Sequence, residues 1–121
     1  MFIVTKPAAN RVDIAVSGEI GSAAMDEGLK ELLELSEGVE NGRMLSTIAS
    51  LTLPTVGAVG VEFQYLPKLF GLLGKFDKCA VVSDAAWLRT AAEIEGKVFP
   101  GIEIKAFQPS EHDSAEAWLE A

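Results

Sequence analysis

Lys78-Cys79-Ala80-Val81-Val82-Ser83-Asp84-Ala85-Ala86-Trp87-Leu88 is the stretch on which the fold turns. Cys79 to Val82 is an unbroken apolar run, the pattern of a strand covered on both faces, and such strands belong to sheets flanked by helices. Asp84 stands where a helix N-cap belongs, and Trp87, Leu88, Ala91 and Ile94 recur behind it at helical spacing. A buried strand running into an amphipathic helix is one β-α unit.

The unit recurs on both sides. Toward the end of the chain, Pro100-Gly101 closes the helix, and Ile102, Ile104 and Ala106 alternate with Glu103, Lys105 and Phe107 as a strand does. Ser110 and Asp113 form a capping arrangement ahead of a short helix with Ala115, Trp118 and Leu119 as its buried stripe. In the other direction, Thr55 to Gly74 is helical in spacing (Val56, Val59, Phe63, Leu66, Phe70, Leu73), and Met44 to Leu51 before it is β-prone. Met25, Leu29, Leu32 and Leu33 mark a further helix, with Ser22 as its N-cap and Gly38 as its C-cap. Val12, Ile14 and Val16 alternate as a strand, and the turn Ala8–Arg11 joins it in a hairpin to the run Phe2–Lys6. The order is β-β-α-β-α-β-α-β-α. This is α/β: an N-terminal antiparallel strand, then four β-α units forming a mainly parallel sheet with right-handed crossovers and helices packed on it. One domain over 1–121 is expected, with no linker-like composition inside it.

Composition narrows the chemistry. The chain of 121 residues has 10 Lys+Arg against 18 Asp+Glu, a net charge of −8, which argues against nucleic acid or an anionic membrane held mainly by charge. One cysteine, Cys79, excludes an internal disulfide and a multi-thiolate metal site, and one histidine, His112, excludes a His-His metal pair. Ser110, His112 and Asp113 share one helical turn and cannot converge on one substrate atom as a catalytic triad must. No phosphate-binding glycine loop is present. Met1–Lys6 lacks the pattern of a signal peptide, and no continuous apolar run reaches the ~18 residues of a membrane span, so a cytoplasmic location is expected.

Cys79-Ala80-Val81-Val82-Ser83-Asp84-Ala85-Ala86-Trp87 resembles the "AVVGD…W" segment of the SpoIIAA-like proteins, a branch of the STAS group (sulphate transporters and anti-sigma-factor antagonists). Phe99-Pro100-Gly101-Ile102-Glu103-Ile104-Lys105-Ala106-Phe107 is similar to a later strand of that family, and Ser110-Glu111 with Ala115-Glu116-Ala117-Trp118-Leu119 to its close. The resemblance covers essentially the whole chain, and its motifs are structural rather than catalytic. It implies a four-unit β-α domain preceded by an antiparallel strand. Members related to anti-sigma antagonists carry a phosphoacceptor Ser or Thr in a D-S-x-G-like loop before the second helix. The matching region here, Ile48 to Gly57, lacks the aspartate, while Thr55 keeps a hydroxyl. Other members look like docking modules for apolar molecules.

The helix expected over 55–74 is the most informative segment. Opposite its core-facing row lies a second apolar row, Ala58, Val61, Tyr65, Leu69 and Leu72. A helix on a sheet needs one apolar stripe, and a helix apolar nearly all round is covered on both sides. Exposing Val61, Tyr65, Leu69 and Leu72 would leave a patch on the order of a few hundred Å². Neighbouring helices, a second copy in a homodimer, or an apolar small molecule, lipid, membrane surface or regulatory protein would each cover it. Pro67 removes the hydrogen bond to the Phe63 carbonyl, so the helix is expected to kink there, either as a static bend or as the hinge of a mobile flap. Thr55 either caps the helix or accepts phosphate, where the helix dipole would favour it. The expected function is a non-enzymatic binding or regulatory module that uses this helix, without cofactor or metal. The alternative is a phosphorylation-switched protein-protein adaptor using Thr55.

Overall fold

The computed structural model describes residues 2–18, 21–51, 71–72, 74–98 and 101–121. β1 (Phe2–Ala8) and β2 (Arg11–Gly18) form the hairpin. Next come α1 (Ser22–Leu35), β3 (Gly42–Leu51), β4 (Phe76–Ser83), α2 (Ala86–Val98) and β5 (Glu103–Phe107). A 3-10 turn, Pro109–Glu111, leads into α3 (His112–Glu120). The helix expected over 55–74 lies outside the described residues except for 71–72, which are helical, and Gly74, in the turn before β4.

The sheet has the order β1-β2-β3-β4-β5. β1 is antiparallel to β2 and the remaining pairs are parallel, as the sequence pattern implies. Each new strand joins the same growing edge, so right-handed crossovers put their helices on one face. α1 and α2 accordingly share a cluster, with Leu32 and Ala92 packed together with Val12, Met44, Phe76, Cys79, Val81 and Ile102. We call this the front face. The back face carries a smaller cluster: Leu45, Ala80, Val82 and Phe107 beneath Ala115, Trp118 and Leu119 of α3. β4 contributes to both, Cys79 and Val81 to the front and Ala80 and Val82 to the back, which is the physical reason for its continuous apolar run. Phe107, expected on the outward row of its strand, lies on that row but is covered by α3, its ring centroid 6.1 Å from that of Trp118.

Local details differ from expectation by a residue or two. α1 is preceded by Gly21 as N-cap, so Ser22 is its first helical residue rather than its cap. The capping box before α3 pairs Gln108 with Glu111, not Ser110 with Asp113, and Gln108 N–H donates to Glu111 Oε1 at 2.8 Å. At the start of α2 the hydroxyl acceptor is Ser83 Oγ, which takes the Ala85 N–H at 3.2 Å, while Asp84 is exposed. Gly28 lets α1 approach the hairpin: a Cβ there would run into the Phe2 ring.

Both sheet edges are interrupted. β1 carries exposed Lys6 and Pro7 and a register shift between Thr5 and Ala8. At β5 the Ala106 N–H donates to Glu93 Oε2 of α2 at 3.4 Å.

Candidate functional site

Two ends of the sheet concentrate the polar chemistry. At the carboxyl end of the parallel strands, β3 runs out at Leu51, four residues before Thr55. In the next strand Ser83, 1% exposed and in register with Ile48, closes the turn into α2. Arg89 Nη1 donates to the Ser83 carbonyl at 2.7 Å and fixes that turn from the helix side. Open α/β sheets bind small ligands at such ends where strand order reverses and two loops part. Among the described strands the order never reverses, so their arrangement alone makes no crevice of that kind beside Asp84.

Of the residues singled out for contact, Thr55, Val61, Tyr65, Pro67 and Leu69 lie outside the described residues. Leu72 is described, and it corrects the expected outer row. It is 5% exposed and packs in the front-face core with Phe76. Its carbonyl accepts the Lys75 N–H at 2.9 Å, closing the turn into β4. The chain is entering the sheet at this point, and Leu72 turns inward with it.

At the opposite end the strands begin with charge. Arg11, Arg43, Lys78 and Glu103 are successive register partners across β2, β3, β4 and β5, a row of three cations and one anion on the back face. The carboxyl-terminal end of α3 sits on this row. Arg11 donates to Glu116 through Nη2 at 2.9 Å and Nη1 at 3.0 Å, and also pairs with Asp13. Arg43 Nε donates to the Leu119 carbonyl at 2.6 Å and its Nη1 reaches Asp77 at 3.5 Å. Lys78 Nζ donates to the carbonyls of Trp118 at 3.1 Å and Ala121 at 2.9 Å, and lies 5.2 Å from the Trp118 ring centroid. Cations suit this position, because the last carbonyls of a helix lack intrahelical donors and carry the negative end of its dipole. The Arg11 hydrogen bond holds the Glu116 carboxyl below its ordinary value of 4.5. An open cleft of about 500 Å³, lined by Asn10, Arg11, Asn41, Arg43 and Glu120 among others, lies beside the row.

Individual strand patterns did not flag this row. Its only trace is a basic residue near the start of three successive strands, which becomes visible once the strands are aligned.

Among the described residues the remaining reactive side chains do not converge. Cys79 is buried, its Sγ 4.0 Å from Ser46 Oγ. His112 is half exposed, 3.9 Å from Glu116 and 4.0 Å from Asp113, while Ser110 and Asp113 are exposed on the surface. Among the described residues no group of His, Cys, Asp and Glu is placed to hold a metal ion, and no helix is long and apolar enough to cross a membrane.

A hairpin followed by parallel strands wound in one direction, with helices on the front and a final helix behind, defines a STAS-like α/β domain. The SpoIIAA-like family model matches residues 11–120, and the chain belongs to that family. Among solved structures, it is similar to a DUF3478-family protein from Shewanella loihica PV-4 with a SpoIIAA-like fold, at 15% identity and a TM-score of 0.71, over 98% of this chain and 92% of that one. The anti-sigma factor antagonist SpoIIAA in its unphosphorylated form follows at 12% identity and TM-score 0.58, over 98% and 97% of the two chains. The Bacillus cell fate determinant SpoIIAA in its phosphorylated form gives 13% and 0.59, over 98% and 99%. No curated protein sequence matches. The family and fold implied by the sequence motifs are thereby borne out.

Proposed function

We propose that this protein is a regulatory protein-binding module without catalytic activity, and that it engages a partner protein through the segment between β3 and β4. The observation that carries this reading is the one-way winding of the sheet, which leaves no strand-order reversal among the described strands at the end where that segment begins. The segment is tethered at both ends, by β3 on one side and by Leu72 in the core on the other. Val61, Tyr65 and Leu69 remain as the apolar residues in excess of what one stripe needs. A protein partner suits the acidic chain better than an anionic membrane surface does. The similarity to an anti-sigma factor antagonist supports the same class of role.

The test is affinity capture with the full chain, comparing wild type with Tyr65→Asp/Leu69→Asp. Loss of an enriched partner by about tenfold supports the reading, in line with removal of interface anchors. Enrichment unchanged by both substitutions overturns it. Native mass spectrometry on the purified protein separates the other occupants: a retained lipid would assign the surface to an apolar ligand, and a dimer lost in the same variant would assign it to self-association.

A second reading is favoured by the similarity to SpoIIAA in a phosphorylated form: Thr55 as a phosphoacceptor that switches partner binding. It predicts that Thr55→Glu abolishes capture while Thr55→Ala preserves it. Equal capture by both variants removes the switch and leaves the binding module.

A further inference from the structure

α3 is held to the sheet by two unlike means. Its apolar side rests Ala115 and Leu119, both 0% exposed, and part of Trp118 on Leu45, Ala80, Val82 and Phe107. Its carboxyl-terminal end is held by charge, through Glu116 on Arg11 and the carbonyls of Trp118, Leu119 and Ala121 on Arg43 and Lys78. These polar contacts are part-buried or exposed, with the Arg11 and Glu116 side chains 15% and 35% accessible, so dissolved ions weaken them.

Among the described residues the back-face cluster shares no residue with the front-face cluster, and the strand β4 contributes to both. The turn that connects β5 to α3 buries none of its own residues. A nine-residue helix with a small core of its own, a solvated tether and a screened polar anchor has the properties of a unit that opens before the rest of the fold.

We propose that α3 is an ion-latched strap. It undocks from the back face as one unit while the sheet and the front-face helices stay folded, and the contacts of its charged end with Arg11, Arg43 and Lys78 set how often this happens. Opening rises with ionic strength and uncovers Leu45, Ala80, Val82 and Phe107, which are otherwise sealed. The device lies on the back face and does not depend on the partner-binding reading given above.

Native-state hydrogen exchange on the full chain tests it. The amides of residues 116–120 are expected to exchange through an opening that leaves the amides of Ala80–Val82 protected. The opening constant is expected to rise several-fold between about 0.05 and about 1 M sodium chloride, as screened ion pairs require. It is expected to rise about tenfold in Glu116→Gln, which removes the charge-assisted pair. Glu31→Gln, on the exposed side of α1, changes neither quantity. Exchange of 116–120 only together with 80–82 overturns the proposal, as does an opening constant indifferent to both salt and Glu116→Gln. If Glu116→Gln unfolds the whole chain, the salt series on the wild-type protein decides by itself.

Discussion

The two faces of the sheet are built on different scales. The front buries Phe76, Leu72, Val12, Met44, Ile102 and Leu32 against helices that the β-α crossovers deliver there. The back relies, among the described residues, on Ala115, Leu119 and Trp118 from α3 over four sheet residues. Winding in one direction supplies helices to a single face, so the other must be closed by an element added after the last strand. The back is therefore the thinner face, and it is the one that recruits charge: the row Arg11, Arg43, Lys78 supplies from the sheet what the small apolar contact lacks.

The contrast can be broken by mutation. The largest effect is expected for Phe76→Ala on the front, where the side chain is 1% exposed: a loss of about 3–5 kcal/mol in urea unfolding, with the whole domain melting together. Leu119→Ala on the back is expected to cost about 2–4 kcal/mol, with its loss read first in the tryptophan fluorescence of Trp118. Equal loss of β4 protection in the two variants, at equal stability, would erase the distinction between the faces. Gly28→Val sharpens the comparison from the front side, because the added methyls meet the Phe2 ring; overpacking of about 1–3 kcal/mol is expected as a lowered midpoint at unchanged m-value.

The smallest effect concerns acid. Glu116 has its folded value lowered by Arg11, so its contribution is fully present above the ordinary carboxylate value and is lost as the pH falls through the lower folded value. The groups that face it are Arg11 from β2 and His112 from its own helix, which are in turn paired with Asp13 and Asp113. Exchange of the 116–120 amides, corrected for intrinsic rate, is expected to quicken below that value in the wild type and to show no such step in Glu116→Gln.

Among the described residues, the strands and helices of the front face follow the periodicity of the sequence. Alternation at Val12, Ile14 and Val16 and the apolar run at Cys79–Val82 carry their own signature, because each records how many faces of a strand are covered. What periodicity could not reach was relational. Leu72 has the helical spacing of an outer residue, yet the entry into β4 turns it inward, and that is a property of the junction rather than of the repeat. The cation row exists only as a register between strands, since Arg11, Arg43 and Lys78 stand more than thirty residues apart along the chain. Phe107 shared its row with Glu103 and Lys105, and only the position of α3 distinguishes the covered end of that row from the wet one. The expected contact residues rest on helical spacing alone, which counts apolar rows without saying what lies over them.

The interruptions at the two outer strands bear on how this protein can assemble. A sheet grows between molecules by donating and accepting backbone hydrogen bonds along a straight rim. On one rim a proline, a lysine and a slipped register break the rhythm of donors, and on the other a glutamate already occupies an amide. Copies of the chain crowded together are thus steered away from strand-by-strand polymerisation, and any lasting complex has to be made through side chains.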